Sequence, residues 1–101
     1  MAEVLALGLS HKTAPLELRE RLALTEGRAT SVMNELTAAP EIREATVVST
    51  CNRTELYLVA EDTVEAETTA LSVLSREAEI RPTELTSHLY SPRASDSARH
   101  L

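Results

Sequence analysis

Cys51 is the single cysteine in 101 residues, and it stands in a dense polar stretch, Ser49-Thr50-Cys51-Asn52-Arg53-Thr54-Glu55. The chemistry on offer is nucleophilic. A thiolate attacks carbonyl carbon, and a nearby cation lowers the thiol pKa and holds an anionic group beside the sulfur. Arg53, two residues on, is such a cation, and Thr50 and Asn52 bring neutral hydrogen-bonding groups next to Cys51. The bland alternative is a buried thiol behaving as a small hydrophobe, and spacing alone favours it, because free cysteine is among the most buried residue types. Arg53 alone reads as a solvated charge, or as one that merely pairs with Glu55 across the strand end. On a regular strand Cys51, Arg53 and Glu55 share one face, which would make a cluster of them.

The other titratable groups are sparse. His11-Lys12 reads equally well as a polar loop or as a basic corner near the thiol that suits a phosphate. His88 reads as structural or exposed, and His100, as a lone histidine, has a bland prior. The three histidines lack metal-ligand spacing, and one cysteine makes neither an internal disulfide nor a cysteine-rich metal site. No metal site is expected. With only Gly8 and Gly27, a glycine-rich phosphate cradle is excluded from this chain.

The elements that would position this chemistry follow from pattern. Val4-Leu5-Ala6-Leu7-Gly8-Leu9 is a continuous apolar run, the mark of a strand buried on both faces. After a polar loop, Thr13 is expected to cap a short helix over Leu16–Leu22 with Pro15 in its first turn, and Glu17 and Arg21 form an i, i+4 pair. Thr25 caps the next helix, whose apolar residues Ala29, Val32, Met33 and Leu36 recur at helical spacing until Pro40. Ala45-Thr46-Val47-Val48 and Leu56-Tyr57-Leu58-Val59 are strands on either side of the cysteine. They join either as a hairpin or as collinear pieces with a bend. Asp62 opens a second long helix with Glu65 at capping-box spacing and a stripe of Ala66, Ala70, Val73 and Leu74, closed by Pro82 after Glu79-Ile80-Arg81. Thr86–Tyr90 is expected to be a strand. A last helix follows Ser91-Pro92, with Ala98 and Leu101 facing inward, and is cut short at the end of the sequence. The fold class is therefore α+β: a ferredoxin-like βαββαβ sandwich with a short extra helix after strand 1 and a truncated C-terminal helix.

A chain this long builds one small core. Its two tyrosines are its only aromatics, so the core is Leu, Val, Ala and Ile. The net charge is −6 and unevenly spread: residues 1–53 carry six cations against seven acids, residues 54–101 four against nine. A domain gripping nucleic acid broadly should be basic, so any polyanion must meet a local patch or another domain. No N-terminal stretch reads as a signal peptide, since Met1-Ala2-Glu3 lacks a basic region, and no run approaches membrane-spanning length. A reduced thiol makes the cytoplasm the default compartment.

Two long strings then resemble one family at consistent spacing. Gly8-Leu9-Ser10-His11-Lys12-Thr13-Ala14-Pro15-Leu16-Glu17-Leu18-Arg19-Glu20-Arg21-Leu22-Ala23 is similar to the opening signature of glutamyl-tRNA reductases, and Ser49 to Tyr57 resembles their active-site motif. Ala98-Arg99-His100-Leu101 resembles the start of a third block. The resemblance implies the first step of tetrapyrrole (porphyrin) synthesis: NADPH-dependent reduction of glutamyl-tRNA to glutamate-1-semialdehyde. On the matching positions Cys51 is the nucleophile that forms a glutamyl thioester. Thr50, Cys51, Asn52 and Arg53 hold the glutamyl group, with Arg53 recognising a carboxylate bidentately. His100 matches a family histidine that serves as a base or orients the substrate. Residues 1–101 correspond to a single N-terminal catalytic domain. The resemblance implies that the NADPH-binding and dimerising domains lie outside these residues, so NADPH, a homodimer through C-terminal helices, and the downstream glutamate-1-semialdehyde aminomutase as a partner are expected of a longer protein. The rival readings are a small ferredoxin-like binding module with a regulatory thiol, and a structural or assembly domain with an unreactive Cys51.

Overall fold

A computed structural model describes residues 2–50 and 52–90. Cys51, His100 and the closing helix expected after Ser91-Pro92 lie outside the described residues. The elements in order are β1 (Glu3–Ser10), α1 (Leu16–Arg21), α2 (Glu26–Thr37), β2 (Ile42–Ser49), β3 (Arg53–Ala60), α3 (Thr63–Ala78) and α4 (Pro82–Thr86). The architecture is α+β, with a three-stranded antiparallel sheet in the order β1-β3-β2.

β3 is central, and its sequence shows why. Thr54, Leu56, Leu58 and Ala60 are buried on one face, while Arg53, Glu55, Tyr57 and Val59 point the other way. Register carries that division across the sheet. Leu5, Leu7 and Leu9 of β1 pair with Leu58, Leu56 and Thr54, and Ala45 and Val47 of β2 pair with Leu58 and Leu56. The helices cover this apolar face: α2 lies on β2, and α3 lies against β1 and β3 with α1 and α4 beside it. Val32, Leu36, Ala66, Ala70, Val73 and Leu74, the residues at helical spacing, are buried there with Leu22 and Leu85. On the opposite face Val4, Val48 and Tyr57 remain 51%, 39% and 40% exposed.

β2 and β3 form a hairpin, which settles the choice against collinear strands. Thr25 caps α2 as expected, its hydroxyl accepting from Arg28 N–H at 3.2 Å. Asp62 caps α3, its carboxylate accepting from Val64 and Glu65 N–H at 3.0 and 3.2 Å.

Three expectations need correction. Thr13 does not cap α1: Pro15 holds the N-cap position, and the Thr13 hydroxyl accepts instead from Ser10 N–H at 2.9 Å, closing the preceding loop. α3 stops at Ala78, where Glu79 turns left-handed at φ 59° and Ile80 N–H reaches back to the Ser75 carbonyl at 3.1 Å. The expected strand over Thr86–Tyr90 is not formed among the described residues. Pro82 starts α4 with its fixed φ, the Thr86 hydroxyl bonds back to the Pro82 carbonyl at 2.8 Å, and only Tyr90 bridges to β1, at Gly8. The β-favouring residues Thr86 and Leu89-Tyr90 are overridden by the proline ahead of them.

Candidate functional site

The polar motif occupies the turn of the β2–β3 hairpin. Thr50 N–H donates to the Arg53 carbonyl at 2.8 Å, and the Thr50 hydroxyl accepts from both Asn52 and Arg53 N–H at 3.3 Å. One threonine thus satisfies the inside of the turn with neutral groups. The Asn52 carbonyl in turn accepts from His11 N–H at 2.9 Å, which docks the loop after β1 onto the hairpin turn. Two stretches about forty residues apart in sequence, His11-Lys12 and Thr50–Arg53, therefore meet, as the reading of a basic corner requires. The contact is through backbone, and the His11 and Lys12 side chains are exposed.

Beneath the turn, on the helix-covered face, four groups form a directed chain. Leu24 N–H donates to the Ser49 hydroxyl at 3.1 Å, Ser49 lies 3.0 Å from the Thr54 hydroxyl, and Thr54 donates to the Leu22 carbonyl at 2.7 Å. Each hydroxyl has one proton, so the directions are fixed: Ser49 donates to Thr54, and Thr54 to Leu22. The segment linking α1 to α2 is tied in this way to the last residue of β2 and the second residue of β3. Ser49 and Thr54 were not singled out from sequence as anchors. Their signal was a hydroxyl on each side of the turn, directly opposite in hairpin register.

The open face carries the charge. Arg53 is exposed and forms no ion pair among the described residues. Arg53 is thus a solvated charge, and the alternative of a pair with Glu55 is not formed. The Glu55 carboxylate accepts instead from the Tyr57 hydroxyl at 3.0 Å through one oxygen and from the Tyr90 hydroxyl through the other. Burial pushes the Tyr90 phenol well above its ordinary pKa, and the Glu55 hydrogen bond and charge push it the same way; Tyr57 is raised by the same causes.

Gly8 makes this arrangement sterically feasible. A Cβ there would fall 2.9 Å from Glu55 Cγ and 3.0 Å from the Tyr90 ring and hydroxyl. Glycine in a strand interior commonly marks such a close approach.

His88, read from sequence as structural or exposed, is half-buried, with Nδ1 3.2 Å from the Thr13 carbonyl. A hollow of about 250 Å³ between α1 and α4 is lined by Pro15, Leu18, Arg21, Ile80, Glu84 and His88, and includes no residue of the motif. Among the described residues no cluster of His, Cys, Asp or Glu could hold a metal ion, and no helix is long and apolar enough to cross a membrane.

Both docked stretches fall within the part of the chain that known proteins match. Residues 7–101 match the family described as "Glutamyl-tRNAGlu reductase, N-terminal domain". The chain belongs to that family. It is 42% identical over 98 residues to a glutamyl-tRNA reductase of Marinobacter nauticus, covering 97% of this chain and 22% of that protein. It is 39% identical to one from Synechocystis sp., covering 97% and 23%, and 40% identical to a chloroplastic one from Hordeum vulgare, covering 99% and 19%. The fold is shared with the solved glutamyl-tRNA reductase from Methanopyrus kandleri, at TM-score 0.63 and 19% identity, over 99% of this chain and 21% of that one. The chain thus spans about a fifth of the length of the relatives it matches.

Proposed function

We propose that this chain is the substrate-binding, thioester-forming domain of a glutamyl-tRNA reductase, acting at the first step of tetrapyrrole synthesis. The observation that carries the reading is the Thr50–Arg53 turn. Among the described residues it is held by hydroxyl and main-chain bonds and docked onto the His11 loop, with the Arg53 guanidinium exposed and in no ion pair. Cys51 lies within that turn in sequence. Its thiolate attacks the ester carbonyl of glutamyl-tRNA, the carbon–oxygen bond to the terminal ribose breaks, tRNA leaves on an oxygen that takes up a proton, and a thioester remains. Arg53 binds the free side-chain carboxylate of the glutamyl group, and Thr50 and Asn52 line the same turn. His100 is assigned to orienting the substrate or accepting a proton.

The residues present do not fit a dinucleotide. The space over Gly8 is filled by Glu55 and Tyr90, and Gly27 stands without a second glycine in the first turn of α2. The NADPH on which the family's reduction depends is therefore assigned to another part of a longer reductase, as are dimerisation through C-terminal helices and contact with the aminomutase that consumes the product. Most tRNA contacts are assigned there too, given the net charge of −6. Two features support a ferredoxin-like sandwich: the β1-β3-β2 order, and Tyr90 on the free edge of β1, where a fourth strand would add. The cytoplasm is proposed as the compartment, with the plastid as its counterpart in plants.

Mass spectrometry of the chain mixed with glutamyl-tRNA is expected to find a glutamyl adduct on Cys51. Release of tRNA by Cys51→Ser at the unaltered rate would refute the mechanism.

A further inference from the structure

We infer that Glu55 is held by Tyr57 and Tyr90 in a clamp that keeps Arg53 unpaired for its substrate; this rests on the reading of Arg53 as a carboxylate binder. Arg53 and Glu55 are two residues apart on one face of β3, where two long side chains of opposite charge can reach each other. An Arg53–Glu55 pair would occupy the guanidinium fork that the proposed reaction needs.

Both carboxylate oxygens are engaged elsewhere, one by each tyrosine hydroxyl. A carboxylate accepts and cannot donate, so two phenols are chemically suited to hold it without adding charge. The geometry that allows this is built across three neighbouring positions. Tyr90 bridges to Gly8 on one edge of β1, with N–H to carbonyl distances of 2.8 and 2.9 Å, and Gly8 pairs with Glu55 on the other edge. From Tyr90 to Glu55 is two strand spacings, roughly 10 Å. A tyrosine spans that distance because the residue between them has no side chain, and the Cβ position of Gly8 is taken by the Tyr90 ring and the Glu55 stem. Arg53 lies within electrostatic reach of the cluster, since its charge lowers the pKa of both phenols, yet it pairs with nothing among the described residues. Glu55 is thus a positioning residue, acting through what it leaves free.

The test uses the 101-residue chain and a glutamyl p-nitrophenyl ester, a probe that presents the glutamyl carboxylate without tRNA. Attack by the Cys51 thiolate releases p-nitrophenolate and leaves the thioester. Replacing both phenols, Tyr57→Phe with Tyr90→Phe, frees Glu55 to compete for Arg53. The half-saturating ester concentration should rise about two- to five-fold at unchanged limiting rate, the competition an exposed ion pair of ordinary strength imposes. Adding Glu55→Gln to that pair removes the competitor and should restore the original value, which a merely structural loss would not. Tyr90→Phe alone, a milder change, should move it in the same direction. An unchanged half-saturating concentration in the phenylalanine variants, with Arg53→Ala raising it, overturns the clamp and leaves the role of Arg53 standing. Failure of Glu55→Gln to restore it also overturns the clamp. If Arg53→Ala changes nothing, the substrate reading falls and the clamp with it.

Discussion

Thr54→Val keeps the shape of a buried side chain and removes one hydroxyl. Thr54 is 4% exposed, and its hydroxyl both donates to the Leu22 carbonyl at 2.7 Å and accepts from Ser49. Leu22 is fully buried, so water does not replace the lost donor. Leaving one buried carbonyl unpartnered and one serine proton without its acceptor should cost about 2–3 kcal/mol together. For a domain of this size that corresponds to a melting temperature roughly 10–20 °C lower. Urea denaturation followed by circular dichroism measures it, with an unchanged m-value confirming that the loss is in the native state. Ser49→Ala removes the acceptor of Leu24 N–H and should cost about 1–2 kcal/mol. Because the two hydroxyls share a bond, the double variant should fall short of the sum by about 1 kcal/mol. A Thr54→Val protein within about 0.5 kcal/mol of the parent, or strict additivity of the two changes, would show that the Leu22–Leu24 segment is not held by this chain of hydroxyls.

Gly8→Ala should destabilise by about 1–2 kcal/mol, since overpacking against Glu55 and Tyr90 outweighs the backbone gain of replacing glycine in a strand; a more stable variant in thermal melts would contradict the close approach. Glu79→Gly should stabilise by about 0.5–1 kcal/mol by relieving a left-handed non-glycine residue at the end of α3. Tyr57 and Tyr90 are the only aromatics, so absorbance at the tyrosinate band reports them without interference. Both should ionise above the ordinary phenol pKa of 10.0, Tyr90 later than Tyr57, because burial and Glu55 favour the protonated form. The folded-state pKa values are raised, so the stability they contribute is complete below pH 10 and is lost as pH rises beyond it. Glu55→Gln should bring both midpoints down, and unmoved midpoints would deny the hydrogen bonds.

What was legible in the sequence is what short-range spacing encodes. The alternation Thr54-Glu55-Leu56-Tyr57-Leu58 shows the buried face of β3, and Thr25 and Asp62 announce their helices because a cap acts within three residues. The docking of the turn was hidden because its partners are far off in sequence: Ser49 is 25 residues from Leu24, Thr54 is 32 from Leu22, and Glu55 is 35 from Tyr90. Glu55 looked like a partner for Arg53 because nearest charges dominate a one-dimensional reading. Gly8 was the overlooked clue. A glycine amid Leu7 and Leu9 weakens a strand unless something needs the room, and here a tyrosine from the far edge takes it.

The two faces of the hairpin divide the work in a way that bears on selectivity. On the helix-covered side the turn is anchored by hydroxyls and main chain, and on the open side the Glu55 carboxylate is held by phenols. Among the described residues no cation is used in either hold, so under the proposed reaction a substrate carboxylate meets no competitor from them at Arg53. An exposed guanidinium stays hydrated and carries little penalty for being unpaired, whereas a buried one would need a partner. Selectivity for an acidic over an amide side chain then comes from what an amide cannot supply, a planar pair of charged acceptors for a bidentate donor. Under the proposed reaction, a glutamyl ester should therefore be preferred to a glutaminyl ester. Arg53→Lys should narrow that preference, because a point charge keeps the attraction and loses the fork. Comparing the two esters in the parent and variant chains measures this, and an undiminished preference in the lysine variant would place the recognition of the carboxylate elsewhere.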